Sequence, residues 1–471
     1  MPGKSIFAAA VLLGLSATSA LAAPTEYFWN DPAGGAYSDS TKWTPAGPPP
    51  GADDAVFNNG SSAGYDVAIS TSTNARALKV RTDTVTLKSG TNIYELIDPA
   101  APAVPPANLI VGENSGDVGS LTLQESTVKV QGVSVGQSAG ATGTLTVDQG
   151  KLNSASAVAI GEFGTGTVNI KNGATFHSSL STSVATTIGV NSGATGELNI
   201  DGLNSLFYSH APVTIGNGTL NLTNQAGFQT TGSVTVSNQG TVNVDSSSHF
   251  NVPTLINYGM VTLDGGGNTK IQNQPGAFLQ GDGGWGQIEM FAGSTVAPGT
   301  GTGTIGGGTA LWHHGATLQI QMNSASGIMG SQVAGWDRLS ISGALTLDSG
   351  PGSFLIDFSS LNFSQQPGNA LNFDPLEPKS WIIATAGGGI TGFDPAAFQI
   401  DASGFTNKLA PSGYFHITKE YDQLYGNVLK LVYEVPEPST LALGLLGLAV
   451  VGFVARRRRR YRHMLFGHDA R

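Results

Sequence analysis

The chain has 471 residues, 65 of them glycine and none cysteine; 11% are charged and 40% apolar. Charge this sparse excludes long surface helices, this much apolar content excludes bulk disorder, and the lack of thiols excludes a disulfide framework, thiolate metal sites and a cysteine nucleophile. Net charge is −10, yet between Ala23 and Ala455 only 14 Lys and Arg stand against 31 Asp and Glu, a body of −17 that offers nucleic acid no overall attraction.

The N-terminus has the three parts of a secretory signal peptide: Lys4, the apolar run 6–15, and small residues ending Ala20-Leu21-Ala22. Residues 1–22 are the expected leader, with Ala20 and Ala22 setting cleavage after Ala22. Residues 23–108 read as an N-terminal β segment or cap, ending in a Pro-rich stretch from Asp98 to Pro106. Its Trp29 and Trp43 are candidates for stacking on sugars, against the plainer reading of cap or core residues.

Residues 109–251 carry two interleaved repeats. Five short strands end in glycine, at Gly112, Gly136, Gly161, Gly189 and Gly216. A second motif starts at Gly119, Gly143, Gly166, Gly196, Gly218 and Gly240, as in GSLTL, GTLTV and GTVNI. A period in this range marks a repeat architecture. Each second motif alternates: Leu121 and Leu123 flank Thr122, and Thr146, Asn169, Asn199, Asn221 and Asn243 take the same place in the later copies. A strand sets the apolar pair on one face and Thr or Asn on the other, where stacked copies can hydrogen-bond along a ladder. Phe176, Phe207, Phe228 and Phe250 follow the motif at a nearly constant offset, which predicts an internal aromatic stack. The expected fold is all-β, a right-handed parallel β-helix, with a C-terminal β cap and one short C-terminal transmembrane helix. The rival is a set of antiparallel sandwiches, for which Asn172-Gly173, Asn217-Gly218 and Asp264-Gly265 are suitable hairpin turns.

Residues 252–350 read as a degenerate continuation of the β-helix, and 351–434, where the period is lost, as a C-terminal β segment or cap. Residues 435–460 hold Val435-Pro436-Glu437-Pro438, an apolar run over 441–455, and Arg456, Arg457, Arg458, Arg459 and Arg460. A helix of that length spans a bilayer only with help from its flanks, and the arginines act as a stop-transfer block held in the cytoplasm, with 461–471 as a tail.

This C-terminus resembles the PEP-CTERM sorting signal of exopolysaccharide-producing bacteria, carried by Pro436, Glu437 and Pro438, the Gly-rich apolar run and the arginine block. The resemblance implies recognition and processing by an exosortase-type membrane peptidase. The repeats resemble a β-strand repeat shared by PEP-CTERM proteins and autotransporter passengers, and Ser294–Gly299 and Asp337–Gly343 are similar to the late part of such passengers. No closing outer-membrane barrel is visible in the sequence.

No catalytic, cofactor or metal constellation stands out. Asp148, Asp201, Asp245 and Asp264 follow the second motif and could form a carboxylate stripe for Ca²⁺ or acid–base work, or simply start turns. His313 and His314, read as strand neighbours, should point to opposite faces and so not pair as ligands. Gly265–Gly267 and Gly306–Gly308 lack the lysine of a phosphate loop and read as flexible turns. The expectation is an exported, membrane-sorted, non-enzymatic structural or adhesin-like protein of the cell surface or matrix. Its partners are exosortase, the membrane through one span, and an exopolysaccharide; no cofactor and no nucleic acid are expected. Alternatives are a β-helical exopolysaccharide lyase or hydrolase, and a carbohydrate-binding protein.

Overall fold

Short runs of β-branched and aliphatic residues, separated by glycine, favour strands over helices, and the computed structural model is all-β apart from two 3-10 turns and a few helical residues near the C-terminus. The structure describes residues 23–98, 106–179, 184–348 and 353–436, together with Val450, Val451, Phe453, Val454 and Arg456. Its strands form three long sheets, compatible with a β-helix.

Each sequence repeat gives one strand to each sheet. The strand Leu109–Val111 belongs to the first sheet, Val118–Gln124 to the second and Thr127–Val130 to the third. Every one of them pairs in parallel with its counterpart in the next repeat: Leu109 with Val133, Leu121 with Leu145, Val128 with Leu152. This pairing rules out antiparallel sandwiches for the repeats. Asn172-Gly173 is a corner between the second-sheet strand Thr165–Lys171 and the third-sheet strand Thr175–Ser178, not the tip of a hairpin.

The glycines make the corners possible. Gly112, Gly136, Gly161 and Gly189 have φ of 70°, 68°, 65° and 61°, a left-handed conformation that side chains resist. Each still donates its N–H to the preceding repeat, as Gly136 does to the Val111 carbonyl at 2.8 Å. The second-motif glycine sits against this turn: a Cβ on Gly143 would be driven into the same Val111 carbonyl. The two motifs keep step because they touch. The corner into the third sheet uses left-handed Glu125, Gln149, Asn172, Asn204 and Asn224 instead.

The interior is filled by columns of like residues. Leu121, Leu145, Val168, Leu198, Leu220 and Val242 are fully buried and stacked in register. Burial of one such side chain is worth about 1.5–3 kcal/mol. The predicted aromatic stack is present: Phe176–Phe207, Phe207–Phe228 and Phe228–Phe250 have centroid separations of 5.5, 5.3 and 5.4 Å. Trp285 closes it, edge-on to Phe250 at 6.5 Å. The third sheet stops at His249–Asn251, just before Pro253, and the glycine loop at 265–267 lies over its end.

The parallel pairing extends beyond the obvious repeats. It begins at Glu26–Trp29, which pairs with Asp54–Phe57, and passes Leu109 without a break. It continues in the second sheet through Phe354–Ser360 to Phe398–Gly404. Period is lost there in sequence because loops of differing length separate the strands. The first sheet ends differently: Gly426–Glu434 runs antiparallel between Lys379–Ala386 and Tyr414–Asp422.

Candidate functional site: the sorting segment and the surface ladders

The outward face of the second sheet is a polar ladder. Asn199 donates to Asn169 at 3.0 Å, Asn221 to Asn199 at 2.8 Å and Asn243 to Asn221 at 2.9 Å. The aspartates beyond it are tied into the same stacking. Asp148 accepts from Asn172 at 2.8 Å, Asp201 from Thr223 and Asn224, and Asp245 from the backbone N–H groups of Asn224 and Ser247. Hydrogen bonds from Thr223 and Asn224 hold Asp201 below the usual carboxylate range. Asp264 differs: burial raises it, although it accepts from the Asp282 N–H. These bonds between successive repeats are those of turns and rungs. Among the described residues, no group of three His, Asp and Glu converges to hold a metal ion.

His313 and His314 lie in the turn after Trp312, not on a strand, so the alternation expected of strand neighbours does not apply. They are nonetheless separated. His313 stacks on Phe291 at 5.0 Å and lies 3.0 Å from Asp348 and 3.5 Å from Glu289, whereas His314 stacks on Phe354 at 4.4 Å. Trp29 and Trp43 are 1% and 2% exposed and meet edge-to-face at 5.1 Å, within a cluster that includes Tyr37, Phe57 and Tyr65. Burial removes both rings from sugar stacking. Gly265–Gly267 form a loop packed against neighbouring backbone, but Gly306–Gly308 are not the flexible turn expected: they lie within the strand Thr304–Trp312 and pair in parallel in the first sheet, where Gly306 meets Gly284 and Ser340.

Two surface groupings escaped the sequence reading. On the first sheet, Glu26, Asp54, Lys79, Arg81 and Glu113 from successive repeats form one ion network, with Lys79 3.1 Å from Asp54 and 2.9 Å from Glu26. Burial works against the charge of Glu26, but the hydrogen bonds from Arg81 and Lys79 outweigh it and hold the carboxyl below its ordinary value. On the third sheet, Lys129, Asn153, His177, Tyr208 and Gln229 form one outward column. The signal was available: each follows the buried residue of its strand by one position.

The last strand of the body is Gly426–Glu434; Val435 is half-buried and still packs against the core, and Pro436 is exposed. Glu437, Pro438 and Arg457–Arg460 lie outside the described residues, as do Ala20 and Ala22 of the leader. Arg456 is helical, as are Val450, Val451, Phe453 and Val454. No helix among the described residues is long and apolar enough to cross a membrane, and most of the expected span at 441–455 lies outside them. Residues 434–460 match the PEP-CTERM protein-sorting motif. The chain carries a PEP-CTERM sorting signal. The signal marks an exported protein sorted by exosortase, a membrane protein, and it begins at the last residue of the final strand. No curated protein matches the chain.

Proposed function

We propose that this PEP-CTERM protein is a non-enzymatic spacer or adhesin of the cell surface or extracellular matrix, built as a right-handed parallel β-helix. The observation that carries the reading is the junction at Glu434, where the sorting motif starts as the sheet stops. Such a junction sets the start of the sorting motif at the end of the body, with Pro436 past the last strand. Two prolines hold the stretch extended, the form a peptidase cleft takes. The apolar run then places it at the membrane surface, and Arg456–Arg460 keep its far end cytoplasmic. A non-catalytic body is supported by the use of its aspartates in rungs between repeats, Asp148 with Asn172, Asp201 with Thr223 and Asp245 with Asn224. The repeat likeness to autotransporter passengers supports an extended surface role.

The test is replacement of Pro436, Glu437 and Pro438 by alanine. Export is expected to continue while the full-length form accumulates in the membrane fraction. Intact-mass measurement of native, surface-located protein decides between processing and permanent anchoring. Retention of residues 441–471 in the mature form would sink the processing step.

A further inference from the structure

The outer face of the third sheet has a charge unlike the rest of the body. Glu95 is the one carboxylate in its eight strands, while Lys129, Lys151, His177 and His249 point outward. His210 follows the strand Leu206–Ser209 directly and its ring meets Tyr208 at 4.7 Å. On the other sheets, lysines are neutralised by neighbours: Lys88 by Asp66 at 2.6 Å, Lys171 by Asp148 at 3.5 Å, Lys79 and Arg81 by Glu26 and Glu113. Lys129 and Lys151 are exposed and, among the described residues, have no such ion pair. They lie on adjacent parallel strands two residues out of register, Lys129 opposite Asn153 and Lys151 opposite Thr127, so they face one another diagonally.

The same face carries flat, hydrogen-bonding groups and shallow depressions. One shallow depression is lined by Glu95, Lys129, Gln131 and Asn153, and another by Leu203, Leu206, Gln225, Gly227 and His249. Between them, His177 lies 5.6 Å from Tyr208, and Gln229 follows in the same column. Burial, and then the nearness of His210 and Lys151, hold His177 below its usual value and so favour its neutral ring. The acidity of the remote body is screened beyond about 8 Å at physiological salt, so a ligand on this face meets Lys129 and Lys151, and Glu95, which stands in register beside Lys129.

We infer that the outer face of the third sheet binds an acidic linear polysaccharide lying along the stacking direction. Lys129 and Lys151 meet its carboxylates, and Tyr208 and His177 stack on its rings, while Asn153 and Gln229 bond to its hydroxyls. The spacing of the rungs is close to the rise of one sugar in an extended chain, so successive repeats meet successive units. A polysaccharide fits better than nucleic acid because the amides of Asn153 and Gln229 and the rings of His177 and Tyr208 on neighbouring rungs suit hydroxyl-rich rings, and an exported protein meets glycan polymers outside the cell. The inference rests on the proposed surface role and names what the surface holds.

The test uses the full chain purified in detergent micelles. Binding is measured at low salt to polygalacturonate, to its fully methyl-esterified neutral form, and to single-stranded DNA. Polygalacturonate should bind, with affinity falling as salt rises, and the neutral form should bind about ten-fold more weakly. The double variant Lys129→Gln, Lys151→Gln should lose about ten-fold for polygalacturonate while keeping the native melting curve. Tyr208→Ala should weaken binding to both polysaccharides alike. No binding of polygalacturonate, equal binding of the methyl ester, or an unchanged double variant would overturn the inference. Equal or tighter binding of DNA would assign the face to nucleic acid and overturn it too. Export and processing are scored by fractionation of the same chain, so a failure here leaves the surface reading standing.

Discussion

Phe228 sits between two rings of its own kind, 5.3 and 5.4 Å away, with no exposed surface. Phe228→Ala should therefore cost about 3–5 kcal/mol in urea denaturation, since neighbours fixed by two backbone ladders cannot collapse into the gap. A loss below about 1 kcal/mol would show a ring that contributes little to the core. The corner glycines predict the opposite kind of damage. Gly143→Ala adds one methyl group against the Val111 carbonyl, and overpacking of that size costs about 1–3 kcal/mol, read in the same denaturation series. Both positions were legible from sequence for one reason: a repeat makes every equivalent residue meet its own copy, so a conserved offset becomes a contact. Lys129 and Tyr208 were not legible in that way, because the outward column changes residue type at each rung and leaves no repeated letter to see.

The first-sheet ion network makes an acid-sensitive seam among the early strands. Glu26 titrates below its ordinary value in the folded chain, so its contribution is fully present above the unfolded carboxyl value near 4.5 and is lost as pH falls through the lower folded one. The difference in Tm between native protein and Glu26→Gln should be largest near neutral pH and should shrink progressively as pH falls below about 4.5. A difference that is constant down to pH 3 would mean that packing of the side chain, not its charge, matters. The charges of this network are far apart in sequence, 26 against 79, 81 and 113. Only the register of the sheet brings them together, and the early strands lack the glycine motifs from which that register could be read.

For the whole molecule, the sequence carried two strong signals, a repeat in the middle and a sorting segment at the end. The repeat dictated parallel stacking because two motifs at constant separation must recur at the same place in each turn of chain. The continuation over 252–350 was still legible as a degenerate repeat, but the extension back to Glu26 and on through Phe354–Ser360 to Gly404 was hidden, since strands there are joined by loops of unequal length and differ in residue type. The sorting motif was legible because its chemistry is linear: prolines, an apolar run and a cationic block act in order along the chain, without any need for folding.

The final strand has a mechanical consequence. Gly426–Glu434 is the inner strand of its antiparallel set, bonded to Lys379–Ala386 on one side and Tyr414–Asp422 on the other, and the membrane-directed segment is its direct continuation. Drag on the body while the chain is still held by the membrane therefore pulls this strand along its own length. Both ladders must then shear together; they cannot peel one bond at a time. The tether is fixed to a clamp, not to a loose end. Force spectroscopy should find a higher rupture force when the chain is pulled through residue 436 than through Tyr421 at the outer hairpin, where the ladder opens like a zip.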